Sequence, residues 1–168
     1  LYVTGELGDA ALALQHITGK VDIEVQAFNF IRSKLDYPKP RVLAGQMLRE
    51  YASSAIDLSD GLVADLGHIC QASNVGANLV LDALPLSTIM RDNLLNEDAI
   101  KLALSGGDDY ELLFTVSEDN KVGMETAMSH AGTPVTCIGQ LNASHTITTT
   151  LNNKPISINT EGFEHFTD

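Results

Sequence analysis

Residues 55–62 read AIDLSDGL, placing three oxygen-bearing side chains, Asp57, Ser59 and Asp60, within four positions and a glycine behind them. If residues 56–59 are extended, Asp57 and Ser59 point to the same face, because strand side chains alternate with period two. Asp60 then falls at the turn into a helix that starts at Gly61, where backbone N–H groups without intrahelical partners favour anions. Carboxylates repel a phosphate, so a phosphate fits beside them only with a hard cation between. Mg²⁺ suits that place, since it takes oxygen ligands and commonly combines one or two carboxylates with phosphate oxygens and waters. The same spacing also fits a plain helix cap, with Ser59 or Asp60 capping and Asp57 in a solvated turn. An EF-hand loop is excluded, because with Asp57 as the first ligand the glycine required as the sixth loop residue is replaced by Leu62.

A second acidic stretch is SGGDDYELLFTV, residues 105–116. Gly106 and Gly107 allow a sharp turn after a helix, leaving Asp108 and Asp109 at the mouth of a strand that begins near Tyr110. A tight turn with exposed acids is the structural alternative. No G-K-[ST] follows and no G-x-G-x-x-G opens a helix, so neither a P-loop nor a dinucleotide fingerprint is present. Tyr110, Leu112 and Phe114 alternate with Glu111, Leu113 and Thr115, which makes both faces apolar apart from Glu111 and predicts a buried strand. In the terminal EGFEHF, Phe163 and Phe166 read as core anchors or as an aromatic surface for a planar ligand. His68 reads as a partly buried helix residue, and no Ser, Cys or His has the surroundings of a covalent nucleophile.

The elements that position these residues follow from periodicity and breakers. Helices are expected over 9–17 with Asp9 as cap, 21–35 ended by Pro38 and Pro40, 42–51, 61–73, 97–104 and 121–131. Strands are expected over 1–4, 54–58, 77–83, 110–116, 135–141, 146–151 and 154–158. The fold class is α+β, one mixed sheet packed with helices. With 168 residues, 44% of them hydrophobic, the chain suits one domain with a substantial core. A net charge of −12, from 22 acidic against 10 basic residues, disfavours nucleic acid and anionic membrane surfaces as partners. Cys70 and Cys137 lack any disulfide or zinc spacing, and there is neither a signal-peptide start nor an apolar run of the roughly 20 residues that span a bilayer, which points to the cytoplasm. The chain opens LYVTGELGDA, without an initiator methionine and inside an apparent strand, so a longer protein is expected.

Taken together, AIDLSDGLVADLGHI, SNVGANLVLDALPLS, ALSGGDDYELLFTV and EGFEHF resemble, in order, the C-terminal half of bacterial thiamine-monophosphate kinase, of the aminoimidazole ribonucleotide synthetase-like superfamily. YVTGELGDAALAL is similar to the family's hand-over from its N-terminal domain, so that residues 1–168 correspond to the C-terminal domain and 1–17 include the hand-over. The resemblance implies ATP-dependent phosphorylation of thiamine monophosphate to thiamine diphosphate in a homodimer paired through N-terminal domains. It also implies that Asp57 and Asp60 bind Mg²⁺, that Ser59 contacts ATP, and that Asp108 and Phe163 contact the thiamine substrate. Asp109 and Glu111 match the motif and are expected to be structural. Most Mg²⁺-binding aspartates and the glycine-rich phosphate contacts belong to the family's N-terminal domain, so the 168 residues alone are expected to fold without catalysing transfer. A sister ATP-dependent synthetase of the superfamily and a non-catalytic binding or assembly module remain the alternatives.

Overall fold

A computed structural model describes residues 1–157; the terminal EGFEHF, with Phe163 and Phe166, and the end of the expected 154–158 strand lie outside the described residues. The first strand, β1 (Tyr2–Thr4), is buried at all three positions. It lies between β4 (Leu112–Val116) and β5 (Val135–Cys137), and β2 (Ala52–Asp57) pairs with the far side of β4, giving the order β2-β4-β1-β5. All these pairs are antiparallel.

A second sheet, in the order β6-β3-β7-β8, replaces the expected single one. Its strands are β3 (Gly76–Val80), β6 (Gly139–Asn142), β7 (Ile147–Leu151) and β8 (Lys154–Ile156), with β3 and β7 parallel. The division falls inside the expected 135–141 strand. Ile138 is fully buried there; its N–H donates to Leu1 O in the first sheet and its carbonyl accepts from Val80 N in the second. One apolar run therefore serves two sheets.

Seven helices occur among the described residues: α1 (Asp9–Ile17), α2 (Val25–Asp36), α3 (Val42–Leu48), α4 (Leu62–Ser73), α5 (Thr88–Asn93), α6 (Asn96–Ser105) and α7 (Lys121–His130). Asp9 does not cap α1. Gly8 holds the cap position, and the buried Asp9 carboxylate receives Lys34 Nζ and Ser87 Oγ, both at 2.6 Å. The second helix starts at Val25 because Glu24 accepts the N–H groups of Gln26 and Ala27, a side-chain cap that excludes residues 21–24. Helix α5 was not expected; Ser87 caps it by accepting from Met90 N.

Strand β4 is buried on both faces, as its apolar pattern predicts. Leu113 enters the larger core cluster with Leu12, Leu58, Leu62, Leu66 and Leu104, while Phe114 enters a smaller one with Tyr2, Ala44, Leu48, Met124 and Met128. Each fully buried side chain of this size contributes about 1.5–3 kcal/mol. The clusters clamp β4 between layers and so fix the segment immediately before it, residues 105–111.

Candidate functional site

The two acidic stretches meet at the end of the β2–β4 ladder. The strands are in register with Asp57 opposite Leu112, and hydrogen bonding continues past them: Leu58 N donates to Glu111 O (2.8 Å), Tyr110 N to Leu58 O (2.8 Å) and Asp108 N to Ser59 O (3.0 Å). Glycine is needed for this approach. A Cβ on Gly107 would lie 2.5 Å from the Ser59 carbonyl oxygen, and Gly61, at φ +112°, would bring one to 3.0 Å from the Ser105 backbone.

Asp108 and Tyr110 both adopt left-handed backbone, at φ 67° and 49°. Aspartate tolerates this region, but for tyrosine it is an outlier of the kind that clusters at functional sites. Tyr110 is thereby excluded from the expected strand and exposed, with its hydroxyl donating to Asp108 Oδ1 at 3.3 Å. The phenol is held above its ordinary pKa chiefly by the charge of Asp108, then by partial burial, the Asp108 hydrogen bond and the charges of Asp57 and Asp60. Asp57, Asp60 and Asp108 thus bear on one point. Asp57 is exposed at the end of β2, and Ser59 Oγ donates to Asp60 Oδ1 at 3.2 Å.

Neither alternative for the helix start holds. The cap position of α4 is Gly61, with no side-chain cap bond, so Ser59 and Asp60 are not caps. Nor are their N–H groups available to an anion. Asp65 Oδ2, one turn into α4, accepts from Ser59 N at 3.0 Å and from Asp60 N at 3.2 Å. Asp65 is 2% exposed, and burial raises its pKa against the pull of those two bonds. Sequence reasoning missed it; the only signal was an acid in the first turn of the helix. His68 is exposed on α4, not partly buried.

The neighbouring acids of the motif face inward. Asp109 accepts Gly8 N at 2.9 and 3.0 Å, and its pKa is raised well above the carboxylate range, first by burial and then by Asp9 and Glu111. Glu111 takes a two-pronged bond from Arg41, at 2.7 Å from Nε and 2.5 Å from Nη2, and a third from Thr4 Oγ1. Thr4 Oγ1 in turn accepts Leu112 N at 2.8 Å. These two acids, with Lys34, Tyr37 and Arg41, border a cleft of about 480 Å³ that Asp57, Asp60 and Asp108 do not line.

Among the described residues, no three His, Cys, Asp or Glu side chains stand close enough to hold a metal ion by themselves. The loop offers two carboxylates and a hydroxyl, all hard oxygen donors, with Asp57 exposed and Ser59 and Asp60 half-buried. That set fits Mg²⁺ where phosphate and water supply the remaining ligands. No helix among the described residues is long and apolar enough to cross a membrane.

The chain is an α+β domain of two four-stranded sheets, with two acidic loops paired at one end of the first sheet. No family model matches the sequence. Thiamine-monophosphate kinase of Escherichia coli K12 is 41% identical over 168 residues, 99% of this chain and 52% of that protein. The crystal structure of the thiamine-monophosphate kinase of Stenotrophomonas maltophilia K279a superimposes with a TM-score of 0.82 at 38% identity, covering 92% of this chain and 50% of that one. AaThiL complexed with AMPPCP and TMP gives 0.78 at 26%, covering 98% and 50%. Nearly the whole of this chain is similar to thiamine-monophosphate kinases, and it spans about half the length of the relatives it matches.

Proposed function

We propose that this chain is the C-terminal domain of a two-domain kinase that transfers the γ-phosphoryl group of ATP to thiamine monophosphate, giving thiamine diphosphate. The carrying observation is the backbone pairing of the loops at 57–61 and 105–111, which puts Asp57, Ser59, Asp60 and Asp108 at one end of one sheet. AaThiL bound to AMPPCP and TMP supports the same assignment of ligands.

Both reactants are anionic, so the chemistry rests on positioning and on charge neutralisation. Asp57 and Asp60 would hold Mg²⁺, which when bound screens the phosphate charges during direct in-line transfer. Ser59 contacts ATP. Asp108, steadied by the Tyr110 hydroxyl, is placed to meet the thiamine substrate, and Phe163 is the aromatic against which that substrate rests. The complete enzyme is a cytoplasmic homodimer paired through its other domain.

Two measurements test this. The full-length protein turns over thiamine monophosphate with ATP and Mg²⁺, whereas the 168-residue chain alone does not; turnover by the chain alone, or none by the full-length protein, contradicts the reading. Phe163→Ala in the full-length enzyme raises KM for thiamine monophosphate by about tenfold or more and changes KM for ATP by less than about threefold. Equal losses for both substrates would remove Phe163 from the thiamine site.

A further inference from the structure

A loop that runs into a helix N-terminus ordinarily offers its N–H groups to an anion. Here those of Ser59 and Asp60 turn inward, and one oxygen, Asp65 Oδ2, receives both. We propose that Asp65 is a positioning residue that makes this loop present carboxylates, not amide N–H groups, to its ligand, and so makes it select a cation.

The proposal rests on the reading of Asp57 and Asp60 as Mg²⁺ ligands and adds the reason they are aimed outward. Binding both N–H groups at a single atom fixes the peptide planes of residues 59 and 60 against α4. Asp65 itself is immobile, because Leu62, Leu66 and Ile69 anchor α4 in the core and Asp65 N donates to Gly61 O at 3.0 Å. The Asp108 N to Ser59 O bond pins the opposite side of the loop. Between these two fixings the side chains of Asp57, Ser59 and Asp60 remain to meet a ligand, while Leu58 is buried in the core. At 2% exposure Asp65 cannot touch that ligand directly. A bare phosphate would find the Ser59 and Asp60 amides occupied and carboxylates beside them.

The test uses the full-length enzyme. Supporting groups behind metal ligands typically change metal affinity by about 10- to 100-fold when removed, and Asp65→Ala is expected to raise the half-saturating Mg²⁺ concentration by about tenfold or more. Calorimetry with Mg²⁺ and the non-hydrolysable analogue AMPPCP is expected to show a matching loss. KM for thiamine monophosphate at saturating Mg²⁺ moves by less than about threefold. Asp65→Asn keeps an oxygen able to accept both N–H groups, so it recovers most of the Mg²⁺ affinity. A merely structural role would lower the melting temperature of Asp65→Ala while leaving half-saturating Mg²⁺ and AMPPCP affinity at wild-type values, and that result overturns the proposal. So does an Asn variant as impaired as the Ala one. If Asp65→Ala fails to fold, hydrogen exchange decides on the wild-type protein: the Ser59 and Asp60 amides should exchange slowly, and fast exchange refutes the arrangement. Failure of the kinase reading would appear separately, as a wild-type enzyme without turnover, and the calorimetric and exchange measurements would still judge Asp65.

Discussion

Asp57→Asn in the full-length enzyme is expected to lower kcat on the order of 10²-fold or more, the scale seen when one preorganised electrostatic contact to a developing charge is removed. The substitution is nearly isosteric and removes one formal charge. Asp57 is exposed at the end of an edge strand, and its side chain makes no hydrogen bond or ion pair among the described residues. Surface changes of that kind usually stay within about 0.5 kcal/mol in stability, so the melting temperature should barely move while the rate falls. Initial rates measured across a Mg²⁺ series check the cause. A ligand role predicts that high Mg²⁺ restores part of the rate; a near-normal rate at all Mg²⁺ concentrations would remove Asp57 from the mechanism. Asp60→Asn is a weaker probe, because Asp60 also accepts from Ser59 Oγ, so its loss mixes binding with loop geometry.

The sequence reveals side chains that repeat with a period or crowd together, and hides partners that are backbone or distant. Asp57, Ser59, Asp60 and Asp108 stand out in the sequence as acids and glycines crowded at element ends, but that spacing fits a helix cap and a tight turn as well, and the β2–β4 pairing that brings them to one sheet end is not written in it. Strand β4 was legible because Leu113, Phe114 and Thr115 form an unbroken buried run. Asp65 was not, since its partners are amide N–H groups that every residue type carries. Asp9 looked like a cap because aspartate before an apolar helix commonly is one; Lys34 and Ser87, 25 and 78 positions away, claim its carboxylate instead. The split at Ile138 was equally hidden. Whether an apolar run serves one sheet or two depends on strands more than fifty residues away in sequence, here β1 and β3.

The largest effect on folding is expected at Glu111, three residues beyond the proposed substrate contact in the same motif. Its carboxylate joins α3's leading residue Arg41 to Thr4 of the central strand, and Thr4 passes the connection to Leu112 N. Replacing Glu111 by alanine leaves the partly buried guanidinium without its counter-charge and the Thr4 hydroxyl without its acceptor. Removing one partner of a buried pair typically costs about 3–5 kcal/mol, and Arg41, about a quarter exposed, places the loss toward the lower end. Urea denaturation of the 168-residue chain reads it as a lower midpoint at unchanged slope. The double variant Arg41→Ala, Glu111→Ala should lose less than the sum of the single ones, because the orphaned charge is then gone as well. In the full-length enzyme, Glu111→Gln, which can still accept from Arg41 and Thr4, should keep its KM for thiamine monophosphate. A Glu111→Gln enzyme of normal stability whose KM rises tenfold would instead move Glu111 from the frame of the motif into its binding face, beside Asp108.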